Sequence, residues 1–313
     1  MNICRSRARS QSLRPGETLR TLVEDLRWAV RLSFLFFRFQ WSIRATFKTG
    51  VLLSLVNSVF GLLSWFFVGN MFRAVHVASL ENYDQDYLAF VLIGSLLSTV
   101  LGAGGFFSPS SFFQRGIFGA DFKRWSMSPT DPLLYNLVAN RILDFAGYTL
   151  TSIIIQFVAI FGLFGLYLGV DFNVCLAMLP LALLYLFYAA VVQIFYETLV
   201  SSVFLHSYAL RAVNQNVMAG LLATIGHVVS GRTFPVEVLP RWLLHFTWVF
   251  PQAQGFIGAR LLLSPRGESL ALFWPHLAAL TAQLVVYGGL GVWLVNTGIA
   301  RVRREGLVQV PPA

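Results

Sequence analysis

Residues 88–107 of the chain read LAFVLIGSLLSTVLGAGGFF, a run of twenty residues without a charged side chain. A transmembrane α-helix needs about 20 consecutive, mostly apolar residues to cross the hydrocarbon layer of a bilayer. This run has that length and that composition. It therefore predicts a helix that spans a membrane.

The composition of the whole chain agrees with this interpretation. Of its 313 residues, 56% are hydrophobic and only 12% are charged, whereas a typical soluble domain carries about 25% charged residues. With 23 basic and 14 acidic side chains, the chain cannot cover the surface that a soluble protein of this length exposes. The composition excludes a soluble enzyme and a disordered chain. The net charge of +9 indicates basic residues that orient the chain in a membrane, and no nucleic-acid partner is expected.

Apolar blocks of similar length recur along the chain, separated by short polar connections. The predicted spans are residues 51–72, 88–107, 145–170, 174–196, 212–229 and 270–299. The fifth is the most diluted by polar side chains. We therefore expect an all-α membrane protein whose six transmembrane helices form one domain, residues 49–300.

The basic residues predict how this domain is oriented. The N-terminal segment holds ten, the second connection four, the fourth one and the C-terminus three, so 18 of the 23 lie on one side. Cytoplasmic connections carry the excess of Lys and Arg. We therefore expect a multi-pass protein of the plasma (cytoplasmic) membrane with both termini in the cytoplasm, including a disordered basic tail at 1–16 and a C-terminal tail at 301–313.

Residues 17–48 have the pattern of an amphipathic helix. Arg20, Glu24, Arg27 and Arg31 are spaced by four, three and four residues, so they share one side of a helix, and leucines and valines mark another side. This pattern is typical of a helix that lies on the inner membrane surface. The alternative is a solvated basic tail that only sets the topology.

The connection before the last span, residues 230–268, is too polar to cross the bilayer yet rich in Trp, Phe and Leu. Such a composition suits short helices that dip into the outer leaflet and return, with proline turns between them. We therefore expect a re-entrant external segment in front of the last span.

Within this segment, residues 230–243 read SGRTFPVEVLPRWL, and Pro251 follows. The run resembles the signature of ABC-2-type permeases, the membrane subunits of ATP-driven exporters. In that family a small residue and Gly precede an aromatic-Pro pair, then Leu-Pro and Trp-Leu, and a later Pro precedes a helix, here expected at 255–263. The resemblance extends over about residues 25–300. Its motif residues here are Gly231, Phe234, Pro235, Glu237, Pro240, Trp242 and Pro251.

The resemblance also implies a motor subunit. In that family a short helix in the cytoplasmic insert docks on the ATPase subunit, and here the insert is residues 111–141. Lys123 stands where the family usually has an acidic residue, and Asp121 lies two residues earlier. The alternative is an ordinary inner loop with topological charges. The expected coupling residues are Asp121, Phe122, Lys123, Arg124, Trp125 and Pro129.

Two kinds of site in this chain are not expected. The only Lys-Thr pair, Lys48-Thr49, lacks the preceding glycines of a phosphate-binding loop, so ATP and Mg²⁺ belong to a partner chain. The five histidines have no ligand spacing, so neither a metal site nor a catalytic residue is predicted.

Polar residues on the first and fifth spans are candidates for the transport pathway, because the family places these spans near the central interface. The alternative for each of them is an ordinary contact between helices. The candidates are Asn57, Trp65, Asn216 and Thr224.

The sequence thus predicts the permease subunit of an ABC exporter, paired with a second copy or a related permease, in contact with membrane lipids and bound to ATPase subunits. Its cargo would be lipid-like, drug-like or a lipid-linked glycan. The alternatives are an ATP-independent secondary carrier or a membrane-embedded enzyme, which would require paired broken helices, buried charges near mid-bilayer or converging acids and histidines. A receptor or assembly subunit with the same fold is a third.

Overall fold

The described parts of the apolar blocks are largely helical. The computed structural model describes residues 48–72, 80, 87–102, 150–206, 224–264 and 269–304, and regular structure within these ranges is helical, without a strand. The helices are α1 (Lys48–Met71), α2 (Tyr87–Gly102), α3 (Leu150–Phe157), α4 (Leu179–His206), α5 (residues 224–229), α6 (Arg241–Thr247), α7 (Pro251–Leu263) and α8 (Ser269–Arg304). A π-helix, Val158–Tyr167, continues α3, and single 3₁₀ turns, Leu176–Met178 and Val236–Val238, precede α4 and α6.

The all-α prediction is confirmed for these residues, but two helices are longer than the apolar blocks that predicted them. α4 continues to His206, past the predicted end at 196, and α8 continues to Arg304. The polar residues near the end of α4 bond within their own helix: Gln193 donates to Glu197 (3.1 Å), and the Thr198 hydroxyl donates to the Ile194 carbonyl (2.7 Å). Since these groups find partners locally, polarity does not end the helix there.

Two helical segments have the length and composition to cross a membrane, Leu176–Val200 and Ala271–Gly298. Shorter apolar helices cover Val59–Met71, Tyr87–Leu101 and Ser152–Tyr167. The structure thus supports a helical protein with two candidate spans among the described residues. Six spans stay a prediction.

The core forms where α7 packs between the long helices. α4 and α8 lie along each other, and α7 contacts α4, α8 and α2. All thirteen residues of α7 except Gln252 are buried. Two glycines allow this close packing: a Cβ on Gly255 would lie 2.8 Å from the Ala189 Cβ, and one on Gly258 would lie 2.5 Å from the Tyr185 ring. α7, which lies within the segment predicted to be external, is therefore part of the core of the molecule.

Candidate functional site at the external segment

The segment that carries the sequence signature begins with a tight turn after α5. Gly231 is buried and has φ +72°, the left-handed conformation that glycine adopts without strain. The Ser230 hydroxyl donates to the His227 carbonyl (2.8 Å) and accepts from the Arg232 amide (3.3 Å). A Cβ on Gly231 would lie 2.8 Å from Cγ1 of Val236. The glycine of the motif therefore has a backbone role.

A buried arginine joins this turn to two helices. Arg260 of α7 is only 3% exposed, and its Nη2 donates to the Arg232 carbonyl (2.9 Å). Its guanidinium carbon lies 3.3 Å from the centre of the Phe90 ring on α2. Gly94, one turn further along α2, has no side chain, and a Cβ there would collide with both the Arg232 carbonyl and Arg260 Nη2. We call Phe90, Gly94, Arg232 and Arg260 the arginine clamp.

The side chain of Arg232 lies beside α1. Its guanidinium carbon is 5.6 Å from the centre of the Trp65 ring, a cation–π distance. Burial lowers the pKa of the Arg232 guanidinium below its ordinary value. Because an arginine titrates far above neutral pH, it keeps its charge, and the electron-rich face of Trp65 offsets part of the lost hydration. The pathway candidate Trp65 thus contacts the motif.

Further along the segment, three side chains donate hydrogen bonds to three consecutive backbone carbonyls in the turn between α6 and α7. Gln254 Nε2 donates to the Thr247 carbonyl (2.8 Å), Gln283 Nε2 to that of Trp248 (2.7 Å) and the Tyr287 hydroxyl to that of Val249 (2.7 Å). The carbonyls at the end of a helix lack intrahelical partners, and these three side chains supply donors for them. We call 247–249 the carbonyl row.

His276 of α8 completes the polar contacts around this turn. Its Nδ1 lies 2.7 Å from Gln254 Oε1, and its ring stacks on Trp248 with centroids 5.6 Å apart at 10°. Since Gln254 Nε2 donates to the Thr247 carbonyl, its Oε1 accepts from His276, so that Nδ1 carries the proton. His276 therefore positions the glutamine that holds the carbonyl row.

The predicted site residues divide into buried and exposed groups. Gly231, Pro235 and Pro251 are buried, and Pro251 is the first residue of α7, so this helix begins four residues before the expected start at 255. A proline fits the first helical position because its missing N–H has no partner there in any case. The motif residues at the surface are Phe234, Glu237, Pro240 and Trp242.

The remaining candidates are mostly outside the described residues. Thr224 lies at the surface of α5. Asn57 is on α1, but its side chain is not among those described, and Asn216 falls outside the described ranges. The interfacial helix at 17–48, apart from Lys48, and the whole coupling segment also lie outside them, so these predictions stay predictions.

The residues that sequence reasoning missed are those that fasten the segment. The sequence patterns give Arg260 no role beyond its positive charge, and they give none to Gln254, Gln283 or Tyr287. The available signal was the polar composition of an otherwise apolar run: two glutamines and one arginine lie within Pro251–Leu263. Buried polar groups in such a helix need partners, which points to a packed position.

Among the described residues, no group of three or more His, Cys, Asp and Glu side chains is placed to hold a metal ion. Comparison of the chain with protein-family models, with curated proteins and with solved structures finds no match.

Proposed function

We propose that the chain is the permease subunit of an ATP-driven exporter of the ABC-2 type, which moves a lipid-like, drug-like or lipid-linked glycan cargo out of the cytoplasm. The observation that carries the proposal is the hairpin formed by α6 and α7. α6 packs against α7, and α7 runs from the carbonyl row through the core that it forms with α2, α4 and α8. A segment of this kind before the last span is what the sequence signature implies.

The contacts of the hairpin indicate how deep it reaches. Gln283 and Tyr287 lie fourteen and eighteen residues after the start of α8 at Ser269, or about 21 and 27 Å along a helix that rises 1.5 Å per residue. Both are close to the middle of the apolar stretch Ala271–Gly298. The thirteen residues of α7 then rise about 20 Å, and the Leu263 carbonyl accepts from the Cys175 amide (2.9 Å) ahead of α4.

The outer surface of α8 supports a membrane location. Val285 is 71% exposed near the middle of the helix, and Trp274 and Trp293 are 63% and 60% exposed. The two tryptophans are nineteen residues apart, about 28 Å along the helix, close to the roughly 30 Å of hydrocarbon in a bilayer. Tryptophan collects at both interfaces of a membrane. An apolar surface with this spacing is suited to lipid.

In this function the hairpin shapes the outer exit for cargo. Nucleotide on the ATPase subunits would favour one of two arrangements of paired permeases, and the difference in nucleotide affinity between them supplies the work. The force would arrive through the coupling segment around Lys123 and Arg124 and through the interfacial helix at 17–48.

One observation favours the secondary carrier, the alternative that the sequence left open. Arg260 is a buried charge, and polar groups within membrane helices often mark transport sites. Its place argues against that role: it lies three residues before the end of α7, and its partner Gly94 is seven residues from the start of α2, about 10 Å. A coupling ion site in a carrier lies near the bilayer midplane, which here is the level of the carbonyl row.

Purification of the tagged chain from its native membrane tests the proposal. We expect an ATPase chain to co-purify and to hydrolyse ATP, and the double variant Lys123→Glu/Arg124→Glu to reduce its recovery. The matched control is Arg303→Glu/Arg304→Glu, which reverses two charges on the same predicted side outside the coupling segment. Recovery of no ATPase, or equal recovery with both double variants, would contradict the proposal.

A further inference from the structure

The outer end of the hairpin is held by contacts of a buried arginine, Arg260. Arg260 contacts three separate parts of the chain at once: its own helix α7, the Arg232 carbonyl of the motif turn and the Phe90 ring of α2. Hydrogen bonds from a charged donor and cation–π contacts are both strengthened when water is excluded. At 3% exposure, Arg260 makes both contacts in such surroundings.

Gly94 makes this arrangement possible. Any side chain at Gly94 would collide with Arg260 Nη2 and with the Arg232 carbonyl, so the absence of a Cβ lets the guanidinium and the turn approach the α2 backbone. The same contact therefore fixes the position of α7 and of the motif turn relative to α2. The hairpin cannot swing away from α2 unless the Arg260–Arg232 bond breaks and the guanidinium leaves the Phe90 ring.

We infer that Arg260 is the positioning residue that keeps the outer end of the hairpin closed, and that outward opening begins with its release from Gly94 and Phe90. This inference rests on the proposed function, in which that end is the cargo exit. The rest of the hairpin is held separately by the carbonyl row. Loss of the arginine clamp would therefore release the last turn of α7 before the turn at 247–249 moves.

The chain contains a reporter for this motion. Cys175 is a free, half-buried cysteine, and its amide donates to the Leu263 carbonyl, three residues beyond Arg260. Displacement of the last turn of α7 breaks this bond and frees the backbone at Cys175 to move. In a Cys4→Ser background Cys175 is the only thiol, so a membrane-impermeant maleimide applied from outside measures how often the outer end is open.

We expect Arg260→Met to raise the labelling rate of Cys175 roughly tenfold, since the charge-assisted bond and the ring contact are both lost; a tenfold change in the opening equilibrium is about 1.4 kcal/mol. Arg260→Lys keeps the cation and should restore part of the closure. The matched control is Arg241→Met, which removes an exposed arginine from the same segment and should leave labelling unchanged.

A double-mutant cycle separates positioning from general loosening. Gly94→Ala should also raise labelling, but its effect and that of Arg260→Met should be less than additive in the double variant, because the collision with Nη2 is then absent and only the one with the Arg232 carbonyl remains; independent structural defects would instead add. Equal labelling of wild type, Arg260→Met and Gly94→Ala would overturn the inference, as would additivity. Gel filtration in detergent shows whether Arg260→Met folds. If it does not, the labelling rates of Cys175 in Arg260→Lys and Gly94→Ala test the inference instead.

The labelling needs neither cargo nor motor, so its outcome is independent of whether an ATPase co-purifies. A clamp effect without an ATPase would retain the role of Arg260 in closing the hairpin and remove the exporter assignment. An ATPase that co-purifies, together with unchanged labelling in the Arg260 and Gly94 variants, would support the exporter assignment and remove the role of Arg260.

Discussion

At the scale of single residues, Gly231 and Gly289 differ in what a methyl group would meet. Gly231 has a left-handed backbone with Val236 against the missing Cβ, whereas Gly289, within α8, has no neighbouring atom within 4 Å of that position. A left-handed backbone costs a non-glycine residue about 1–2 kcal/mol. An alanine in a helix is more stable than glycine by about 0.5–1 kcal/mol.

We therefore expect Gly231→Ala to lower the apparent melting temperature of the purified protein in detergent, and Gly289→Ala to leave it unchanged or to raise it. The free energy of unfolding should fall by about 1–2 kcal/mol for the first variant. A melting temperature for Gly231→Ala equal to that of the wild type would show that the folded protein does not use the left-handed turn.

At the scale of elements, the hairpin depends on donors contributed by α8. The double variant Gln283→Leu/Tyr287→Phe removes the donors to the Trp248 and Val249 carbonyls, at about 0.5–1.5 kcal/mol for each hydrogen bond. We expect faster hydrogen–deuterium exchange in peptides covering 244–254. The matched control is Tyr188→Phe, since its hydroxyl donates to Thr281 between α4 and α8, away from the hairpin. Equal exchange in the wild type, the double variant and Tyr188→Phe would contradict the role of the carbonyl row.

Local patterns predicted the elements of this segment better than its connections. The prolines lie where helices begin: Pro240 precedes α6, and Pro251 is the first residue of α7, four residues before the expected start of that helix, because proline suits the start of a helix and has no N–H to donate. The bonds that fasten the hairpin join residues such as Trp248 and Gln283, which are 35 positions apart in the chain. Which buried amide meets which carbonyl depends on how α7 and α8 pack, and periodicity within either helix does not contain that information.

At the scale of the whole molecule, a charge placed on the exposed apolar surface of α8 would have different effects in a membrane and in water. Val285 is exposed near the middle of the last apolar stretch, so Val285→Arg would place a charge in hydrocarbon at about 2.5–3.5 kcal/mol. In water the same exposed substitution would change stability by about 0.5 kcal/mol or less. We expect Val285→Arg to reduce the amount of folded chain in the membrane fraction and Ala300→Arg, beside Arg301, to leave it unchanged. Equal amounts of the two variants would argue against lipid around α8.

The distribution of basic residues predicts which end of the bundle faces outward. It predicts that Cys4 is cytoplasmic and Cys175 external, and these are the only two cysteines in the chain. A membrane-impermeant maleimide on intact cells should therefore label the wild type and Cys4→Ser but not Cys175→Ser, and permeabilisation should restore labelling of Cys175→Ser. Labelling of Cys4 alone in intact cells would show that the chain has the opposite orientation in the membrane. The hairpin would then open to the cytoplasm, where it cannot form the exit of an exporter, and the arginine clamp would close an entrance instead.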